Sequence, residues 1–319
     1  MSQKPRYSII APVYNEEGNL LELYRQMQTT MDSTGEGWEL ILVDDGSRDR
    51  SPEIMRALHQ QDPRVKAIFF AKNFGHQLAV SAGLDYSSGS AVVIIDADLQ
   101  DPPAVILQMI EKWKAGYEVV FAVRTARKGE SWFKEFTAKL FYRIIYRITD
   151  IDIPLDTGDF RLLDRKTVDA LKMMRERHRF IRGMTSWVGF RQTGVEYVRE
   201  ERFAGDTHYP FRKMFKFALD AITGFSYAPL QIATYAGFTI AGLSALGALL
   251  VIYARLFLAS QAFFGQATTL VAVLFLGGIQ LITLGIIGEY LGRIYDEVKG
   301  RPLYVVREAR GFDDDSAAG

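Results

Sequence analysis

Residues 91–103 read AVVIIDADLQDPP. Five consecutive apolar residues, four of them β-branched, form a strand with no polar alternation, as expected where both faces of a sheet are covered. The run stops at Asp96-Ala97-Asp98 and turns through Gln100 into a Pro pair. An apolar strand that ends in carboxylates recurs upstream. YSIIAPVY (7–14) runs into NEEGN, and WELILVDDGS (38–47) ends in two acids and a glycine. VKAIFFA (65–71) and YEVVFAVR (117–124) supply two more strands. Between them, Leu20–Met31, Ser51–Gln61, His76–Ser87 and Pro103–Ala115 have helical spacing. Alternating strands and helices predict an α/β, Rossmann-like, mostly parallel sheet. Ligands of such sheets bind at the carboxyl ends of the strands, where these acids collect.

Two carboxylates at i and i+2 on an ending strand suit a hard cation. Mg²⁺ and Mn²⁺ take oxygen ligands, commonly one or two carboxylates plus substrate phosphates. Asp96, Asp98 and Gln100 are therefore the candidate metal ligands. Asp44, in DDGS, reads either as a turn-forming acid or as an acceptor for nucleoside hydrogens. Pro12, Tyr14, Asn15 and Glu16 close the first strand in the same manner.

The C-terminal third is different. Leu230–Ala254 and Ala267–Gly288 carry no charge over 25 and 22 residues. At about 1.5 Å rise per residue each reaches across a hydrocarbon core of roughly 30 Å. Gly237, Ala241 and Ala245 recur at interval four, which favours close helix packing in lipid. Arg212, Lys213 and Lys216 precede the first span, and Arg293, Lys299 and Arg301 follow the second, whereas the connection carries only Arg255. The positive-inside rule then predicts an integral membrane protein whose catalytic domain and both termini are cytoplasmic. The opening MSQKPRYSII does not read as a signal peptide. SWFKEFTAKLFYRIIYRIT (131–149) mixes aromatic, aliphatic and basic residues at helical spacing, and predicts an interfacial helix. The expected division is a catalytic domain over 1–206, a juxtamembrane segment over 207–228, two spans within 229–291 (about 230–254 and 267–290), and a tail over 292–319 whose end, FDDDSAAG, reads as disordered.

Composition narrows the function classes. Thirty-eight basic and 38 acidic residues balance, against a general nucleic-acid binder. With no cysteine, thiolate chemistry is excluded. His59, His76, His178 and His208 show no metal-ligand spacing. GxGxxG after the first strand and GxxxxGK[ST] are both missing, which disfavours dinucleotide and Walker-type chemistry.

PVYNEEGNL (12–20), VDDGSRDRS (43–51), KNFGHQLAVSAGLD (72–85), DADLQDPP (96–103) and GEYLGRIYDEVKGRPLY (288–304) together resemble the family-2 glycosyltransferases that act on polyprenyl phosphates. The likeness is closest to bactoprenol glucosyltransferases. Undecaprenyl-phosphate aminoarabinose transferases and dolichol-phosphate mannose synthases are more distant. It spans essentially the whole chain. It implies a GT-A fold, a divalent cation, a nucleotide-sugar donor, a polyprenyl phosphate acceptor, inversion at the anomeric carbon, and homo-oligomers. Carried onto matching positions, it implies that Pro12, Tyr14, Glu16, Asp44, Asp96 and Arg202 hold the nucleotide. Asp96, Asp98 and Gln100 hold the metal, while Asp159, in DTGDFRLLDR (156–165), Arg124 and Asp98 serve catalysis. Arg202 lies in ERFAGDTHY (201–209), which resembles a flexible lid whose usual Lys is here His208. Arg124 and Arg127 suit the acceptor phosphate, for which guanidinium is a bidentate partner, with Lys134 a further candidate.

The nearest resemblance implies UDP-glucose as donor, although no residue excludes UDP-GlcNAc, UDP-galactose, an aminoarabinose derivative or GDP-mannose. A processive polysaccharide synthase shares the early motifs but usually carries QxxRW, which RFIRGMTSWVGFRQ (179–192) is not. A non-catalytic membrane scaffold or sugar-nucleotide sensor is the alternative from another class.

Overall fold

The computed structural model describes residues 4–124, 157–199, 226, 228–257 and 266–312. They fall into two compact units, one holding the residues up to 199 together with 301–312, the other holding 226–300.

The first unit is built on one eight-stranded sheet: β1 (Tyr7–Val13), β2 (Trp38–Asp44), β3 (Val65–Phe70), β4 (Ala91–Ile94), β5 (Val119–Arg124), β6 (Thr157–Asp164), β7 (Gln192–Tyr197) and β8 (Val306–Arg310). Their spatial order is β7-β5-β6-β4-β1-β2-β3-β8. The expected parallel core is present, with β1 parallel to both β2 and β4, and β2 parallel to β3. The sheet is nevertheless mixed and GT-A-like. β6 runs antiparallel between β4 and β5, and β8 closes the far edge antiparallel to β3. The β6 inversion matters for function. Ile94 on β4 faces Arg161 on β6, so the first residues of β6, Thr157–Asp159, lie beyond the carboxyl end of β4, beside Asp96. A segment 60 residues downstream of the DxD motif is thus returned to it by antiparallel pairing.

The helices follow their periodicity. In α1 (Leu20–Asp32), Leu20, Leu23, Tyr24, Met27 and Met31 are buried at 3–4-residue spacing. α2 (Ser51–Gln61), α3 (His76–Tyr86) and α4 (Val105–Lys114) fill the remaining crossovers. Residues 165–173 and 181–187 form two short helices, α5 and α6. α3 packs so closely on β1 that a Cβ on Gly83 would sit 2.2 Å from Ile10 Cγ2.

Residues 306–310, assigned to the tail by sequence, form an edge strand. VREAR has no apolar run, and its burial alternates. Tyr304 stacks on Phe70 at 5.1 Å, and its hydroxyl donates to Asp85 Oδ2 at 2.7 Å, so side chains just before β8 also bind this stretch to the sheet domain.

At the other end of the strands, Glu39 is buried against donors from three segments. Ser8 Oγ, Ser88 N and Ser88 Oγ bond its Oε1, and Lys66 Nζ lies 2.7 Å from Oε2. Burial pushes its carboxyl up, but the Lys66 ammonium and the Ser donors outweigh burial and hold it below its ordinary value of 4.5. A lowered folded pKa contributes stability above the unfolded pKa, and that contribution is lost as pH falls through the folded value. Glu39→Gln should therefore cost about 2–4 kcal/mol at pH 7. The gap to wild type should narrow as pH drops below about 4.5. Denaturant unfolding of the detergent-solubilised protein at pH 7 and pH 3.5 checks this. A gap that stays constant contradicts it.

The second unit contains α7 (Ala228–Phe257) and α8 (Gln266–Val298). Within them, Ala228–Gly247 and Ala272–Val298 are long and apolar enough to cross a membrane. α8 continues past the expected end of its span near residue 290 through Arg293, Asp296 and Glu297. Tyr290 Oη donates to the Ser226 carbonyl at 2.7 Å. The expected interfacial helix at 131–149, and residues 207–225 and 227 of the expected juxtamembrane segment, lie outside the described residues.

Candidate active site

The carboxyl ends of β1, β2 and β4, the first residues of β6 and the start of α3 meet at one edge of the sheet. The loops after β1 and β2 are fastened to one another. Asn15 N donates to Ser47 Oγ (2.9 Å), and Arg48 N returns a bond to Asn15 Oδ1 (2.8 Å). Glu16 N donates to Ser51 Oγ (2.9 Å), and Arg50 N to Glu17 Oε2 (2.9 Å). Asn15 takes φ 57° at this join, a conformation Asn tolerates better than most residues. Tyr14 stands 45% exposed over the edge. Asn19 Nδ2 donates to Glu16 Oε2 at 2.5 Å.

The adjacent acids of VDDGS are divided in role. Asp45 is spent on structure: its carboxylate accepts from Phe74 N at 2.6 Å and Gly75 N at 2.9 Å, and burial pushes its pKa up. Asp44 is fully buried. Its Oδ1 closes the turn by accepting from Ser47 N at 3.0 Å, while its Oδ2 has no hydrogen-bond partner among the described residues. Such a buried unpartnered acceptor is costly unless a ligand supplies a donor.

Asp96 Oδ1 is likewise buried without a hydrogen bond among the described residues. Burial, opposed by His76 and reinforced by the carboxylates of Asp159, Asp101 and Asp98, raises Asp96 to about 6. Asp98 is 7% exposed, and its Oδ1 accepts from Gln100 N at 3.1 Å. Leu99 between them takes φ 59°. This tight reversal places both acids at the strand tip. No group of three or more acidic or histidine side chains converges as a ready cage among the described residues. Two carboxylates, one with an unpartnered oxygen, instead fit a cation shared with substrate phosphates.

Asp159, buried at the start of β6, is held by three side chains. Arg182 Nε donates to Oδ1 at 2.7 Å and Gln77 Nε2 to Oδ2 at 2.9 Å. His76 Nε2 lies 3.2 Å from Oδ2 and 3.6 Å from Asp96 Oδ1. Burial opposes ionisation of both His76 and Asp159. For His76, the carboxylates of Asp159 and Asp96 outweigh burial and the opposing charge of Arg182; for Asp159, Arg182 and His76 outweigh burial. His76 is raised to about 9, and Asp159 stays well below its ordinary value. Gln77 Oε1 also accepts from Ile181 N at 2.9 Å, so one amide joins the starts of α3 and α6.

Arg124 ends β5. Its Nε donates to Tyr197 Oη at 3.2 Å, and that hydroxyl donates to the fully buried Asp101. A Cβ on Gly158 would fall 2.7 Å from an Arg124 terminal nitrogen: Gly158 leaves the room that the guanidinium occupies.

The structure thus brings together Pro12, Tyr14, Glu16, Asp44, Asp96, Asp98, Gln100, Arg124 and Asp159 from the sequence prediction. Arg127, Lys134 and Arg202 lie outside the described residues. Sequence reasoning missed His76, Gln77, Arg182, Asp101 and Tyr197. KNFGHQ carried a usable signal, since Gly75 (φ 107°) starts a helix after the short loop that follows β3 and so delivers the next two side chains to the strand-end edge. Arg182 carried none.

A model of glycosyl transferase family 2 matches residues 8–171. An uncharacterized glycosyltransferase of Bacillus subtilis is 55% identical over 98% of this chain and 97% of its own length. A prophage bactoprenol glucosyl transferase homolog of Escherichia coli is 40% identical over 96% of this chain and 99% of its own. Among solved structures, a mannosyltransferase of Pyrobaculum calidifontis in complex with GDP-Man and Mn²⁺ covers 91% of this chain and 88% of its own, at 19% identity and TM-score 0.44.

Proposed function

The chain belongs to glycosyl transferase family 2 and is a glycosyltransferase, and from that premise we propose that it transfers glucose from UDP-glucose to undecaprenyl phosphate, with inversion. The observation that carries this reading is the extent of the likeness to the bactoprenol glucosyl transferases. At 40–41% identity it takes in 95–96% of this chain, both apolar helices included. A polyprenyl phosphate is a membrane lipid, and α7 and α8 suit an enzyme anchored where its acceptor resides. The charge distribution supports cytoplasmic termini.

In the reaction a phosphate oxygen of the lipid attacks the anomeric carbon, the new C–O bond forms, and the bond to the UDP oxygen breaks. The nucleophile is already anionic near neutral pH, so alignment and charge neutralisation matter more than a strong base. Asp44, through its unpartnered oxygen, takes a nucleoside hydrogen, with Pro12, Tyr14 and Glu16 around it. Asp96, Asp98 and Gln100 would hold a divalent cation that offsets the charge of the diphosphate. Arg124 binds phosphate at the same edge; Arg127 and Lys134 are the further groups we assign to the acceptor phosphate, and Arg202 to the nucleotide. Small-residue stripes in α7 suit association between copies.

Purified protein incubated with a panel of radiolabelled nucleotide-sugars and polyprenyl phosphate should transfer label to lipid, most rapidly from UDP-glucose, and EDTA should stop it. Transfer from none of them refutes the activity. A faster reaction with UDP-GlcNAc or GDP-mannose reassigns the donor, and EDTA-resistant transfer removes the cation.

A further inference from the structure

Asp159 has the position expected of a general base, beside the DxD acids, but not the surroundings of one. A carboxylate has about four lone-pair sites. Three are directed at donors here: Arg182 Nε on Oδ1, and Gln77 Nε2 and His76 Nε2 on Oδ2. The donors are themselves anchored. Arg182 NH1 donates to the Thr157 carbonyl at 2.9 Å, and Gln77 accepts from Ile181 N at 2.9 Å. Behind them Arg161, 3% exposed, donates to the Gly158 carbonyl at 3.0 Å and to Thr185 Oγ1, which fixes the turn that carries Asp159. Placing a proton on Oδ2 would set an O–H against two donors and break at least one of these bonds. A proton on the free site of Oδ1 would leave the Arg182 bond in place but remove the charge that the guanidinium faces at 2.7 Å.

We propose that Gln77 and Arg182, with His76, are positioning residues that commit Asp159 as a permanent hydrogen-bond acceptor, so that it orients the donor sugar through its one remaining lone-pair site and does not take the reaction proton. The inference rests on the transferase reading above. It adds that the geometry of a three-segment clamp, rather than the basicity of one carboxylate, sets the rate.

A polarity swap tests this. Asp159→Asn alone turns an N–H₂ toward Gln77 or Arg182 and should lower kcat about 100-fold. Adding Gln77→Glu moves the acceptor to position 77, where it still takes the Ile181 N–H and now receives the amide introduced at 159. The charge count is unchanged from wild type. The double variant should recover at least tenfold in kcat over Asp159→Asn, with KM for the nucleotide-sugar within about threefold of wild type and an unchanged kcat–pH profile. If Asp159 must accept a proton, no partner swap can restore that function, so a double variant as slow as Asp159→Asn overturns the proposal. Should the double variant fail to fold by its melting transition, Arg182→Lys and Arg182→Ala decide. The clamp predicts at least tenfold higher kcat for Lys, and equal rates overturn it. Wild-type enzyme assayed alongside separates the two levels: no transfer by wild type defeats the transferase reading, whereas transfer by wild type without rescue defeats only the clamp.

Discussion

Asp98→Ala should reduce transfer at least about a thousandfold, a loss near 4 kcal/mol of transition-state stabilisation, while leaving the protein folded. Both halves follow from the surroundings of the side chain. Asp98 accepts, among its interactions, a hydrogen bond from Gln100 N, and each such bond lost costs about 1 kcal/mol, which a domain of this size withstands. The negative charge is what the chemistry requires. With Asp96 Oδ1 buried beside it and without a hydrogen bond among the described residues, the pair can neutralise a cation bound to a diphosphate, and neither acid alone supplies the same field. Asp98→Asn keeps shape and acceptor oxygen but removes the charge, and should be nearly as inactive as Asp98→Ala. Label transfer to lipid, measured together with the melting temperature, checks this. Activity within tenfold of wild type at normal stability would exclude a charge-dependent role for the pair. Activity lost together with the fold would mean that Asp98 is structural.

That pair was legible in the sequence because the strand ahead of it is continuously apolar and its end is abrupt. The same signal gave β1 and β2 and their acidic ends, and hence the parallel core. β8 escaped because an edge strand with one face in water alternates, and VREAR does so through charged residues. The clamp on Asp159 escaped for a different reason. Gln77 and Asp159 are 82 residues apart, and Arg182 is 23 beyond Asp159. Nothing local marks an Arg on a seven-residue helix as the partner of a carboxylate on a strand. Only the antiparallel insertion of β6 between β4 and β5 brings them together, and strand order is not written in periodicity. VDDGS shows a finer limit. Two adjacent acids of one motif look equivalent in sequence, yet Asp45 is consumed by the backbone of residues 74–75 whereas Asp44 keeps an oxygen available.

Gly46→Ala should damage stability and activity together, by about 2–4 kcal/mol and about a hundredfold. Gly46 has φ 73°, and an added Cβ would stand 2.7 Å from Asn73 N and from the Lys72 carbonyl carbon. These are backbone atoms, so no rotamer change relieves the contact. The 72–75 segment cannot simply retreat, because Asp45 holds Phe74 N and Gly75 N. Any shift that does occur is passed to α3, whose first two residues are His76 and Gln77, two of the three groups on Asp159. Gly35→Ala supplies the matched control. Its φ of 68° imposes a similar left-handed strain, but nothing lies within 4 Å of its Cβ. It should therefore cost only about 1 kcal/mol and leave transfer unchanged. The difference between the two variants isolates the clash from the backbone strain they share. If both lost equal stability and both kept full activity, the packing of the DDGS turn against residues 72–73 would have no part in placing the α3 side chains. A Gly46→Ala enzyme that melts normally but transfers slowly would instead locate the whole effect in the displacement of His76 and Gln77.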